Sequence, residues 1–80
     1  MGVYNTIDLE GVSTESWGDA AREALREAAK TIRHISKMDV LTTSCSVRDG
    51  GISEYRTSVR LYFEIEPAIR DTGAPEVSLS

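Results

Sequence analysis

From Glu54 to Glu66 the chain alternates without interruption between two kinds of side chain. Tyr55, Thr57, Val59, Leu61, Phe63 and Ile65 fall on one side, with Glu54, Arg56, Ser58, Arg60, Tyr62, Glu64 and Glu66 on the other. A period of two is the signature of a β-strand with one buried and one wet face. The strand therefore demands an apolar cover on one side only, and Pro67 ends it because proline supplies no ladder donor. Just upstream, Arg48-Asp49-Gly50-Gly51 reads as a tight turn, since Asp-Gly and Gly-Gly tolerate the positive φ of a hairpin. Met38 to Val47, rich in Val, Leu and Thr, is then the antiparallel partner.

The cover lies earlier in the sequence. Trp17, Ala20, Ala21, Ala24, Leu25, Ala28, Ile32 and Ile35 recur at three- and four-residue spacings, one apolar stripe of an amphipathic helix. Four alanines in that stripe permit close approach to a sheet, and the spacing predicts a helix running to Ile35 or Ser36. Ser16 is the expected N-cap, with Asp19 standing in for the acidic member of a capping box. Trp17, at the start of the stripe, is expected in the core. Before the helix, Val3 to Glu10 alternates as a strand that Gly11 is expected to end. A strand, a crossover helix and a hairpin give an α+β domain with β-α-β-β order. The long third strand fills the gap between the other two, so the sheet order is 1-3-2, all antiparallel, with the helix on one face. Residues 1–66 form the domain. Residues 67–80, with Gly73 and Pro75 and no periodicity, read as a tail that is mobile or laid on a neighbour.

Such a domain has little core, and small scaffolds add disulfides, metals or neighbouring subunits. Cys45 is the single cysteine and His34 the single histidine, which removes an intrachain disulfide and a Cys/His zinc site. Self-association remains, favoured also by exposed sheet edges and a half-covered sheet. Thirteen acidic against nine basic residues give a net charge of -4, unsuited to nucleic-acid binding by a basic patch. No apolar run is long enough to cross a bilayer, and Met1 to Glu10 has no basic stretch followed by an apolar one. The expectation is a cytoplasmic protein with a reduced thiol and no membrane or nucleic-acid partner. His34, off the apolar stripe, is expected at the surface, and Cys45 as an inert thiol. No phosphate loop or catalytic triad occurs, so an enzyme is not expected.

Several local patterns together resemble the dodecins. They are Val3-Tyr4, Gly11-Val12-Ser13, Ser16-Trp17 with Asp19-Ala20, Lys30-Thr31-Ile32-Arg33, Asp49-Gly50, Glu54-Tyr55 and Phe63-Glu64-Ile65-Glu66. The resemblance spans Val3 to Glu66 and implies a hollow homo-dodecamer of β-α-β-β protomers. It also implies small-ligand binding, in that family of flavins such as riboflavin or FMN, stacked in pairs between tryptophans and stored or quenched. The tryptophan position holds Lys37 here, and the glutamine that meets the flavin edge is replaced by Arg56. Lysine removes an aromatic platform. Arginine offers donors only, where glutamine offers a donor and an acceptor. Trp17, at the other end of the helix, does not substitute.

The ligand candidates by this resemblance are Lys37, Met38, Asp39 and Arg56. Two readings stay open for the cations. They pair with Asp39, Glu54 or a neighbour's carboxylates, or they line a pocket for an anion such as a nucleotide phosphate. Some tryptophan-lacking relatives are calcium-binding, which gives an alternative reading as a calcium- or magnesium-binding, or purely structural, assembly. Asp8 with Glu10 and Glu64 with Glu66 lie two apart on strands, so each pair shares a face. Copies of these four gathered about a symmetry axis would make an oxygen-rich ring for Ca²⁺ or Mg²⁺.

Overall fold

The structure, a computed structural model, describes residues 3–64. Its elements are β1 (Tyr4–Ser13), α1 (Trp17–Ala29), β2 (Ile35–Arg48) and β3 (Gly51–Glu64). The strands form one antiparallel sheet in the order β1-β3-β2, as the sequence pattern predicts. The expected tail and the positions Ile65, Glu66 and Pro67 lie outside the described residues. Asp49 (φ 52°) and Gly50 (φ 80°) join β2 to β3. Two positive φ values in a two-residue loop match the right-handed twist of the strands they connect.

The core lies between α1 and the inner face of β3. Val59 and Leu61 are 0% exposed, and Thr57 is also buried. Ala21, Ala24 and Ala28 of α1 pack on this face, with Ile7, Leu9, Leu25, Ile32, Ile35 and Met38 around them. The helix sits so close to β1 that a Cβ on Gly11 would lie 1.8 Å from the carbonyl oxygen of Ala20. Gly11 therefore does not end β1, as its type suggests; the strand runs on to Ser13, and glycine is there to let the helix backbone approach.

Hydrogen bonds fasten the start of α1. Ser16 caps it, its Oγ accepting from the Asp19 amide at 2.9 Å. The Asp19 carboxylate accepts from Ser13 Oγ at 2.8 Å, so it ties the helix to β1 and does not close a capping box. Thr57 Oγ1 donates to the Trp17 carbonyl at 2.9 Å, which satisfies a buried hydroxyl and pins the helix to β3. Trp17 itself is 40% exposed, contrary to expectation. Its ring meets Tyr55 edge-on at 4.9 Å between centroids, and its Nε1 donates to the Ser44 carbonyl of β2 at 2.6 Å. The indole thus bridges helix and sheet without being enclosed.

The helix stops at Ala29, about a turn and a half before the stripe does. The Thr31 and Ile32 amides both donate to the Ala28 carbonyl, at 3.1 and 2.9 Å, and His34 then takes a left-handed φ of 61°. Ile32 and Ile35 still reach the core, but Ile35 does so from β2, paired with Phe63. Two β-branched residues following Lys30 weaken helix propensity, and the sheet offers Ile35 its ladder bonds instead. His34 is exposed, as expected for a residue off the stripe. The β2 strand thus starts at Ile35, earlier than Met38, and its register with β3 shifts at three places.

Candidate functional site

The outer face of the sheet carries the polar chemistry, and the first register shift of β2 decides who belongs to it. Ile35 faces Phe63 and Lys37 faces Tyr62, which leaves Ser36 as the extra residue of a bulge. Without that bulge, strict alternation from Ile35 would turn Lys37 toward the core. With it, Lys37 shares the outer face with Tyr62, its Nζ 4.6 Å from the ring centroid. Asp39 accepts from the Tyr62 hydroxyl at 2.8 Å and lies 3.8 Å from Lys37 Nζ. Tyr4, Ser36, Lys37 and Tyr62 line a cleft of about 290 Å³. Met38, opposite Leu61, points the other way and packs against the core.

Arg56 sits at the far end of the same face. Its guanidinium donates to Ser46 Oγ (3.1 Å), Glu54 (3.0 Å) and Glu10 (3.3 Å). Lys37 is opposite Tyr62, six residues along β3, so the two cations stand roughly 20 Å apart in one protomer at about 3.3 Å per residue. Each is matched by carboxylates of its own chain, one of the two arrangements the sequence leaves open. Between them Arg60 grips Asp8 with two hydrogen bonds, at 2.8 and 3.0 Å. That bond, more than bulk charge, holds the Asp8 carboxyl below its ordinary range and raises Arg60 further.

Of the four carboxylates expected for a cation, the three among the described residues do not converge within one chain. Asp8 and Glu10 each meet an arginine, Glu64 lies opposite Tyr4 and is exposed, and Glu66 is beyond the described residues. Among the described residues, no group of three or more His, Cys, Asp or Glu is arranged to hold a metal ion. No described helix is long and apolar enough to cross a membrane. Cys45 is a half-buried free thiol.

Sequence reasoning missed Tyr4 and Ser36 as neighbours of Lys37. The pairing of β1 with β3 puts Tyr4 opposite Glu64 and beside Tyr62, which follows from register once the sheet order is known. The bulge at Ser36 has no such signal, because nothing in Ile35-Ser36-Lys37 distinguishes it from regular strand.

The apolar surface is uneven as well. Val40 is 56% exposed although it lies opposite buried Val59, since α1 covers β1 and β3 and hardly reaches β2. Leu41, Val47 and Ile52 are also exposed.

Known proteins share this arrangement. The Dodecin family model matches residues 3–66. The calcium dodecin of Mycobacterium tuberculosis is 34% identical over 68 residues, covering 85% of this chain and 96% of its own. The dodecin of Thermus thermophilus is 31% identical over 64 residues, covering 80% and 93%. The crystal structure of a tryptophan-to-phenylalanine variant of T. thermophilus dodecin superposes with a TM-score of 0.78 at 30% identity, over 82% of this chain and 98% of that one. The crystal structure of M. tuberculosis calcium dodecin, described with a novel calcium-binding site, gives 0.71 at 33% identity, over 82% and 94%. Strand order, helix placement and a match across the whole described region agree, and the chain belongs to the dodecin family.

Proposed function

We propose that the protein is a self-assembled small-ligand binding and storage protein, a hollow homo-dodecamer in the cytoplasm, and not an enzyme. The observation that carries this reading is the uncovered outer face, with its aromatic and charged cleft at Tyr4, Ser36, Lys37 and Tyr62. The uncovered apolar positions on β2 support burial against other copies. Lys37, Asp39 and Arg56 are the polar candidates for ligand contact, and Met38, turned to the core, anchors the strand beneath Lys37 and Asp39.

Riboflavin or FMN binds weakly in this reading. Lys37 stands where the family has its stacking tryptophan, and Arg56 replaces the glutamine that matches the flavin edge. Protein titrated into flavin should leave most of the fluorescence at micromolar concentration, and Lys37→Trp should deepen the quenching. Tight stoichiometric quenching by the unmodified protein would overturn the weak-flavin reading.

A second reading is favoured by the calcium dodecin of M. tuberculosis. Asp8, Glu10, Glu64 and Glu66 from several copies would bind Ca²⁺ or Mg²⁺, in competition with Arg60 and Arg56. Calcium should then raise the melting temperature reversibly with EDTA. A shift with nucleotides that Lys37→Ala abolishes would instead favour an anion at Lys37. Silence in all three assays would leave a structural assembly.

A further inference from the structure

Four charged side chains of alternating sign follow one another across the outer face of the sheet. Asp8 of β1 and Asp39 of β2 both stand directly opposite Arg60 of β3. Lys37, beside Asp39 on β2, completes the row. We propose that Arg60 is a two-position clasp: it holds Asp8 in this structure and turns to Asp39 when a cation takes Asp8, which releases Lys37 toward an anion. Such a clasp links the cation and anion sites of the ligand reading above and rests on that reading.

The register puts both carboxylates within reach of one guanidinium. Directly opposed residues on neighbouring strands have Cβ atoms about 5 Å apart, and Arg60 has such a neighbour on either side. Its two hydrogen bonds, at 2.8 and 3.0 Å, go to Asp8. Asp8 is the main cause of the raised Arg60 pKa, and Asp39 adds to it from the other strand. The Arg60 side chain is 41% exposed, which leaves it room to turn, and exchanging one exposed ion pair for another costs little. Asp39 is only partly engaged. Its Oδ2 accepts from the Tyr62 hydroxyl at 2.8 Å, while its Oδ1 lies 3.8 Å from Lys37 Nζ, beyond an ordinary hydrogen bond. A guanidinium arriving at Oδ1 makes the stronger, charge-assisted bond and neutralises the carboxylate that draws the ammonium. Lys37 is then held only by the Tyr62 ring, its Nζ 4.6 Å from the centroid, beside the cleft shared with Tyr4 and Ser36. Because linkage is reciprocal, an anion on Lys37 leaves Asp39 to Arg60 and so opens Asp8 to a cation.

A crystal structure of the full chain carrying Asp8→Ala tests the turn. Arg60 should donate to Asp39, and Lys37 Nζ should leave the Asp39 carboxylate. Calorimetry with inorganic phosphate reads the release. Asp8→Ala should bind phosphate roughly fivefold more tightly than the unmodified protein, the low end of ordinary coupling, and adding Lys37→Ala should abolish the gain. Arg60 turned to solvent, with Lys37 still at Asp39, would overturn the clasp. A gain that survives Lys37→Ala would overturn it too, by placing the phosphate on Arg60 itself, as would equal phosphate binding by both proteins. Failure of the ligand reading looks different: Arg60 turns to Asp39 as expected, which supports the clasp, while phosphate binds neither protein.

Discussion

Alternate residues of β3 lead opposite lives. Thr57, Val59 and Leu61 lie in a dry layer against the alanines of α1, whereas Arg56, Arg60 and Tyr62 lie in a hydrogen-bonded row open on the other side. The inner residues gain from area removed from water and from close packing. The outer ones gain little stability from exposed ion pairs, whose net worth is small. Stability should therefore reside on the inner face and recognition on the outer one. Mutations separate the two.

The largest effect should come from Gly11→Ala. The new methyl would meet the Ala20 backbone, which no side-chain rotation can relieve, so α1 must lift from β1. Loss of the cooperative thermal transition in circular dichroism is the expected outcome, and a melt close to that of the unmodified protein would refute the close-approach account. Next, Leu61→Ala leaves a cavity at a fully buried site and should cost about 2–5 kcal/mol in denaturant melts. A cost near zero would mean the inner face is not the core. Ser16→Ala removes the helix cap and should cost about 1 kcal/mol by the same measurement, with Ser16→Gly costing less.

The smallest effect belongs to the outer face. The folded-state pKa of Asp8 is depressed by its hydrogen bonds from Arg60. Its stabilising contribution is present above the ordinary aspartate value and is lost as pH falls through the depressed one. Asp8→Asn should therefore differ from the unmodified protein at neutral pH by less than Ser16→Ala does, and the difference should vanish in strong acid. An effect larger than that of the cap would show the outer row to be structural and break the division between faces.

The same division explains what could be read from sequence. β3, the Asp49-Gly50 turn and the sheet order were legible because alternation and turn chemistry are local and unambiguous. Ser16 was legible as a cap for the same reason. The end of α1 was not, because Ile32 and Ile35 reach one core from two different elements, so the helical stripe runs on past Ala29. Gly11 misled because a glycine that ends a strand and one that admits a helix backbone look alike in sequence. Trp17 misled because its stripe position says which side of the helix it is on, not whether the indole is enclosed there. At the candidate site, the pairing of Lys37 with Asp39 and of Arg56 with Glu54 was among the sequence expectations. The shift that turns Lys37 outward depends on a bulge that sequence does not mark.

Exposed Val40, Leu41 and Trp17 beside a one-sided core point to completion of the fold by other copies of the chain. Sedimentation velocity at micromolar protein tests this most directly. For an 8.8 kDa chain the account predicts a single stable species of twelve copies, about 100 kDa. A folded species sedimenting as a monomer or dimer across the same concentrations would contradict it.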